Sequence, residues 1–287
     1  MEAKSRGCSI IIKLKSICRQ NKLTQLASLI SLMIISVFAP INLVRAETPD
    51  HVLKNLVEKI TKTELREYGQ IDNSKNNQKE VIKKSKKKVP AEITDVKEVE
   101  RQAEFASQVT GVRKEFLMGM LVVESDLGKN TGECTYQEVK EGAENAYKNG
   151  LLSEQAWQTF KKRKKIIQDI ANDLGYDDDK LKVSCNPDYA GTGGAMGIPQ
   201  FMPDTWMEYK DELAQILGKE NPDPWNVRDG VLAMALKVAD VPGVVEHNVW
   251  AERNASKMYL SGTTSYQYDW YASRIQYWAN NYKSLIG

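Results

Sequence analysis

The stretch KEFLMGMLVVESDLG, residues 114 to 128, constrains the fold more than any other part of the chain. Phe116, Leu117, Met120, Leu121, Val122, Val123 and Leu127 fall at helical spacing and clothe most of the circumference. A helix that is apolar on nearly every side has to be surrounded, so the chain must supply further elements to enclose it. With 287 residues and 41% apolar side chains it has the material to do so. Glu124 sits at the C-terminal end of this helix. Apolar neighbours and the negative end of the helix dipole both oppose its ionisation, so its pKa is expected to rise. A glutamic acid that stays protonated near neutral pH can donate a proton to a glycosidic oxygen. A lone Glu near a helix end is more often a solvated surface residue, so its company decides the reading.

The first 46 residues read as an export segment. Lys4, Arg6, Lys13, Lys15, Arg19 and Lys22 precede an uncharged run, LTQLASLISLMIISVFAPINLV, at 23 to 44. Small residues in Val44-Arg45-Ala46 place a cleavage site after Ala46. Left uncut, 23–44 is long enough to anchor the chain in a membrane with its N-terminus in the cytoplasm. Either way the remainder is outside, in the periplasm or the extracellular wall. Cys8 and Cys18 leave with the signal, and Cys134 and Cys185 remain. In an oxidising compartment that pair is expected to bridge, restricting the unfolded chain by roughly 4 kcal/mol. His51 and His247 are the only histidines, and neither has ligand spacing around it, so no metal site or cofactor is expected. A net charge of +2 predicts no nucleic-acid partner.

Residues 47–92 read as a short helix within 51–71 followed by a Lys-rich tether ending near Pro90. The folded domain is expected over 93–287. Its first helix begins at a Thr94 or Asp95 cap, turns Val96, Val99, Ala103, Ala106 and Val109 inward, and stops at Gly111. Ser153 caps a segment running to about Leu174, and DELAQILG, WNVRDGVLAMALKVAD and YDWYASRIQYWANNY follow as helices. Between Cys134 and Cys185 lies an insert with KKRKK at 161 to 165, expected as a helix clipped at its base by the disulfide. That basic run suits either a solvated helix face or contact with acidic peptide stems and other anionic wall polymers.

Residues 191 to 206, GTGGAMGIPQFMPDTW, are the one place where short strands or a hairpin are expected. Glycine at this density permits unusual backbone angles and close approach of another chain or a ligand. Phe201 and Trp206 are expected in the core.

Glu124-Ser125 closing an apolar helix, GGAMGIPQFMPDTW, NPDPWNVRDGVLAMAL and YASRIQYWA follow one another in an order that resembles the lysozyme-like lytic transglycosylases of bacterial cell walls. The pattern AGTGGAMGIPQFMP most resembles their membrane-bound B-type branch. The resemblance covers roughly Val96 to Gly287. It implies a mainly α fold of the α+β lysozyme-like type, a helical catalytic domain with a small hairpin beside the cleft. It also implies an activity, cleavage of the MurNAc-GlcNAc bond of peptidoglycan with formation of a 1,6-anhydro sugar. Glu124 would act as acid and then base. Ser125 would orient substrate or water, unless its hydroxyl bonds its own backbone. Gly194, Ala195, Met196 and Gly197 would bring main chain against the glycan, and Gln200 would offer it an amide. Tyr259 and Tyr271 match positions where the family keeps tyrosines near the acid. Tyr266, Tyr268, Trp270, Tyr277, Trp278 and Tyr282 are expected mostly in the core.

A single acid suffices if the substrate contributes its own groups. The 2-acetamido carbonyl can steady positive charge at the anomeric carbon, and the C6 hydroxyl can attack it. A hydrolase of the same fold would need a second carboxylate, with Asp126, Asp188 and Asp204 as candidates. Of these, Asp126 would point away from Glu124 if the helix continued, and Asp204 is expected to cap the next helix. A wall-binding protein without chemistry is the remaining alternative. The chain is expected to be monomeric, with peptidoglycan glycan strands as its partner.

Overall fold

A computed structural model describes residues 87–93, 95–188 and 191–286. The export segment, the expected helix within 51–71, most of the tether and Thr94 lie outside these residues. Among the described residues no helix is long and apolar enough to cross a membrane.

Helix α1 (Val96–Thr110) starts where the Asp95 side chain accepts from the Lys97 N–H and ends at Gly111, whose φ of 78° closes the last turn. It carries Val99, Ala103 and Ala106 inward. Helix α2 (Lys114–Ser125) follows after a short turn, and every residue from Phe116 to Val122 is buried. The mostly α domain wraps around α2 as its apolar circumference requires.

Two further helices complete the enclosure. Helix α6 (Val227–Ala239), capped by the Asn226 side chain, is itself buried from Asp229 to Leu236 and packs on α1. Helix α8 (Asp269–Asn281) forms the most extensive contact with α2. The reason lies at Gly119, where a Cβ would sit 2.5 Å from the Ile275 carbonyl oxygen and 2.8 Å from the Ala279 nitrogen. The two backbones approach closely because no side chain stands between them.

The insert holds two helices where sequence pattern singled out one. Helix α3 (Tyr136–Lys148) opens with a capping box of Thr135 and Glu138, and α4 (Glu154–Leu174) runs from the Ser153 cap to Gly175 as expected. Two short antiparallel strands close its base: β1 (Cys134–Thr135) pairs with β2 (Lys182–Val183), with Cys134 opposite Val183. The Cys134–Cys185 disulfide locks the same point. The glycine-rich segment adds single bridges, Met196 pairing with both Val183 and Phe201. Lys88 bridges to Tyr176, so the chain entering the domain lies along the insert.

Helix α5 (Pro203–Leu217) begins earlier than DELAQILG suggested, with Pro203 in its first turn. Asp204 does not cap it. Met202 is the capping residue, and the Asp204 carboxylate instead takes the Arg163 guanidinium of α4 through both oxygens. Helix α7 (Val249–Ser261) is capped by Asn248 and was not distinguished in the sequence. In the final aromatic cluster Tyr282 is buried, but Tyr266, Trp270 and Tyr277 are exposed, contrary to the expectation of core. Trp270 and Tyr277 are seven residues apart on the outward side of α8, while Tyr271, Ile275 and Ala279 face inward.

Gly119→Val places branched carbon into occupied backbone space. It should lower the unfolding free energy by about 3 kcal/mol, as overpacked cores do. Urea denaturation measures this, and an unchanged midpoint would contradict the close α2–α8 packing.

Candidate active site

Glu124 ends α2, and the chain then turns sharply. Asp126 (φ 48°) and Leu127 (φ 57°) adopt left-handed conformations, and their N–H groups return to the Leu121 and Val122 carbonyls. The helix therefore stops at Ser125, and Asp126 projects into solvent instead of continuing round it. Ser125 is buried. Its hydroxyl donates to the Leu121 carbonyl at 3.3 Å and accepts from the Gly128 N–H at 3.2 Å. Both bonds hold the turn that presents Glu124, so the hydroxyl serves the backbone and not the cleft.

Tyr271, on the first turns of α8 and 3% exposed, donates its phenol hydrogen bond to Glu124 Oε1. Burial raises the Glu124 carboxyl to about 8, and no neighbouring charge contributes to that rise. Tyr259 comes from α7. Its hydroxyl donates to the Pro199 carbonyl at 2.5 Å, and its ring lies 5.5 Å from that of Phe201. Burial pushes the Tyr259 phenol well up, and the charge of Glu124 adds to the effect. Four segments thus meet around the acid: the end of α2, the start of α8, the last turn of α7 and the loop around Pro199.

That loop rests on α6. Gly230 leaves room for Ile198 and Pro199, whose atoms lie 2.6 and 2.9 Å from where its Cβ would be. At Gly197, with φ of 61°, a Cβ would fall 1.7 Å from the Pro224 carbonyl oxygen. The protein's own main chain fills the space that Gly197 leaves. Gly194, Ala195, Met196 and Gly197 are all buried, and Met196 is fully enclosed. At Gly197 the space is therefore taken by the chain itself, whereas at Gly194 a Cβ would come no closer than 3.7 Å to the Tyr136 ring; the backbone groups of the segment pair with Ser184 and Phe201, and Gly197 accepts from Gln200. Gln200 (φ 52°) likewise spends its amide N–H groups on the Thr131 and Gly197 carbonyls, at 3.0 and 2.8 Å. Its amide nitrogen thereby braces the loop.

Behind the site, charged pairs fix the helices. Glu252 of α7 is fully buried and takes Arg113, which precedes α2, through two bonds of 3.0 and 2.8 Å, and Gln276 of α8 at 2.9 Å. Lys257 of α7 reaches Asp269 at the start of α8 at 2.9 Å. Sequence pattern missed this framework, because Arg113 and Glu252 are 139 positions apart. Of the candidate second carboxylates, Asp126 and Asp188 are exposed, and Asp204 is engaged by Arg163. Among the described residues no acidic or Cys/His cluster could hold a metal ion.

An enclosed acid at a helix end, braced by tyrosines within a mainly α domain, defines a lysozyme-like glycan-cleaving enzyme. The family model of the transglycosylase SLT domain matches residues 78–238, and the chain belongs to this family of peptidoglycan-cleaving lytic transglycosylases. Among solved structures it is similar to the Escherichia coli lytic transglycosylase Slt35 in complex with bulgecin A, at 16% identity, covering 66% of this chain and 72% of that one with a TM-score of 0.47. The calcium complex of Slt35 gives the same values. The soluble lytic transglycosylase SltB1 of Pseudomonas aeruginosa is 21% identical, covering 68% of each chain, with a TM-score of 0.37. No curated protein sequence matches the chain significantly.

If the glycine serves backbone packing, Gly197→Ala should cost about 3 kcal/mol or more in a urea melt, from the positive φ and the clash with Pro224. A variant of unchanged stability that loses only substrate affinity would restore the sugar-contact reading.

Proposed function

We propose that Glu124 is the sole acid/base of a transglycosylation that cuts the MurNAc-GlcNAc β-1,4 bond and leaves a 1,6-anhydroMurNAc end. The observation that carries this reading is a half-buried, desolvated carboxyl bonded by Tyr271, with Asp126 in solvent and Asp204 engaged by Arg163. Since Oε1 accepts from Tyr271, Oε2 carries the proton to be transferred. Glu124 donates that proton to the leaving glycosidic oxygen as the bond to the anomeric carbon breaks. The C6 hydroxyl of the same sugar then attacks that carbon, and Glu124 takes its proton, returning to the starting state. No water is consumed. The protein contributes held geometry, which makes intramolecular attack effective. Tyr271 and Tyr259 position the acid and the loop beside it, and Ser125 acts through the turn. The segment 23–44 directs export, placing the enzyme in the periplasm or wall, and 47–92 tethers the domain at 93–287.

Mass spectrometry of fragments released from peptidoglycan sacculi tests the reaction. Fragments one water lighter than hydrolysis products, without reducing ends, are expected. Reducing ends would mean a hydrolase with a second carboxylate, Asp188 first among them. Glu124→Gln should lower turnover by at least about 10³-fold while sparing binding. Undiminished cleavage would remove Glu124 from the mechanism.

The raised pKa has two consequences, one for activity and one for stability, and both quantities decline as pH rises. The first proton transfer needs the protonated acid, so activity should fall as pH rises through about 8. Stability also falls over the window from the ordinary carboxylate range up to about 8, because there the unfolded chain has released this proton and the folded chain retains it. Below that window the penalty vanishes. Glu124→Gln should therefore melt above the wild type by a margin that widens between about pH 5 and about pH 8, then levels off. A constant margin across that range would mean that the acid is not enclosed.

A further inference from the structure

The reaction leaves the KKRKK run on α4 unused. Arg163 is committed to Asp204 at 2.9 Å. Lys161, Lys162, Lys164 and Lys165 form no ion pair with a described carboxylate, although most other basic side chains of the domain do. Helical spacing puts Lys161 and Lys165 in one row, with Lys162 beside it and Lys164 on the flank. Lys161, Lys162 and Lys165 are exposed and Lys164 is half-buried. Glu144 is paired with Lys148, while Glu154 accepts from the neutral Tyr147 and Gln158 and offsets part of the charge of Lys161. Glu154 and Asp169 are the exposed acids of the same outward face; neither forms an ion pair with the row, and the four lysines outnumber them.

The row is also held in place. Trp157 stacks on Tyr147 at 4.8 Å between ring centroids, and Lys161 lies over the Trp157 ring. The Arg163–Asp204 pair joins the middle of α4 to the first turn of α5, three residues beyond Gln200. The cationic surface is therefore fixed to the element that leaves the loop beside Glu124. Its surplus charge calls for a polyanion. In peptidoglycan, glycan whose lactyl groups carry peptides has no charge of its own, so the anionic groups are the peptide carboxylates.

We propose that Lys161, Lys162, Lys164 and Lys165 form a docking surface for the carboxylates of the peptides borne by the glycan, a second point of attachment to the wall outside the cleft. This rests on the reading that the cleft at Glu124 takes a glycan strand. Such a surface raises the local concentration of an insoluble substrate through a salt-dependent attraction.

The test is co-sedimentation of the full chain, carrying Glu124→Gln so that nothing is cut, with purified peptidoglycan and with glycan strands stripped of peptides whose freed lactyl carboxyls are capped as methylamides and so carry no charge. Replacing the four lysines by Gln should weaken binding to intact peptidoglycan roughly tenfold at low salt and abolish most of its salt dependence. Binding to stripped strands should not change, and a Lys→Arg version of the four should bind like the parent. Equal binding of parent and Gln variant to intact peptidoglycan overturns the proposal. So does an equal loss on both substrates, which would indicate a disturbed cleft or fold. A loss confined to walls carrying phosphodiester polymers, and absent on purified peptidoglycan, also overturns it and identifies the phosphate polymer as partner. If the parent fails to bind stripped strands, the cleft reading fails, while the effect of the lysines on intact material is still read separately.

Discussion

The close approach of α2 and α8 at Gly119 is the constraint on which the site depends. Because the Ile275 carbonyl and the Ala279 backbone occupy the place of a Cβ at Gly119, the two helices are fixed in register and in separation. They run antiparallel, so moving along α2 from Gly119 to Glu124 corresponds to moving back along α8 from Ile275 to Tyr271. The phenol thereby meets the carboxyl at the mouth of the packed pair. A wider separation would leave Tyr271 short of Glu124, since neither side chain has the length to bridge the volume of an interposed residue.

An acid held away from solvent weighs against folding, and the surrounding structure offsets that with ordinary packing and with pairs elsewhere. The buried Glu252 lies among Arg113 and Gln276, so its charge is matched where α2, α7 and α8 come together. Asp229 in α6 is equally buried and is satisfied by Lys219 and by the Asp223 N–H. Both are paired acids that fix helix positions. Glu124 receives only a phenol and no cation, and burial holds its proton on. One fold thus sets Glu124 to a different task from the fully buried Glu252 and Asp229 by the groups it places beside them.

The glycine-rich segment shows how a motif read correctly as special can serve a different purpose from the one expected. Positive φ and small volume at Gly197 answer the Pro224 carbonyl, and Gly230 on α6 makes space for Ile198 and Pro199. The motif NPDPWNVRDG therefore acts as the support for the loop, and the loop in turn receives Tyr259 at Pro199. Gly197 and the Gln200 amide nitrogen fix the wall of the site through a close-packed main chain. Nothing in the local pattern distinguishes close approach to a ligand from close approach to another segment of the same chain, because both require the same absent side chain.

The sequence alone determined the elements whose causes are local: α1 between Asp95 and Gly111, α4 between Ser153 and Gly175, and α2 as a helix that must be surrounded. It also singled out Glu124 as an acid in a costly place, and paired Cys134 with Cys185 by count and compartment. The tertiary structure decided what depends on distant residues meeting. It divided the insert into α3 and α4, turned Tyr266, Trp270 and Tyr277 outward, and gave Asp204 to Arg163 instead of to a helix cap. It also bonded Tyr271 to Glu124 across 147 positions of chain. Caps and periodicity act over one or two turns and are legible in order along the chain. Which side chain faces which across a packed interface is set by backbone separation and register, and these arise only when the whole domain has closed.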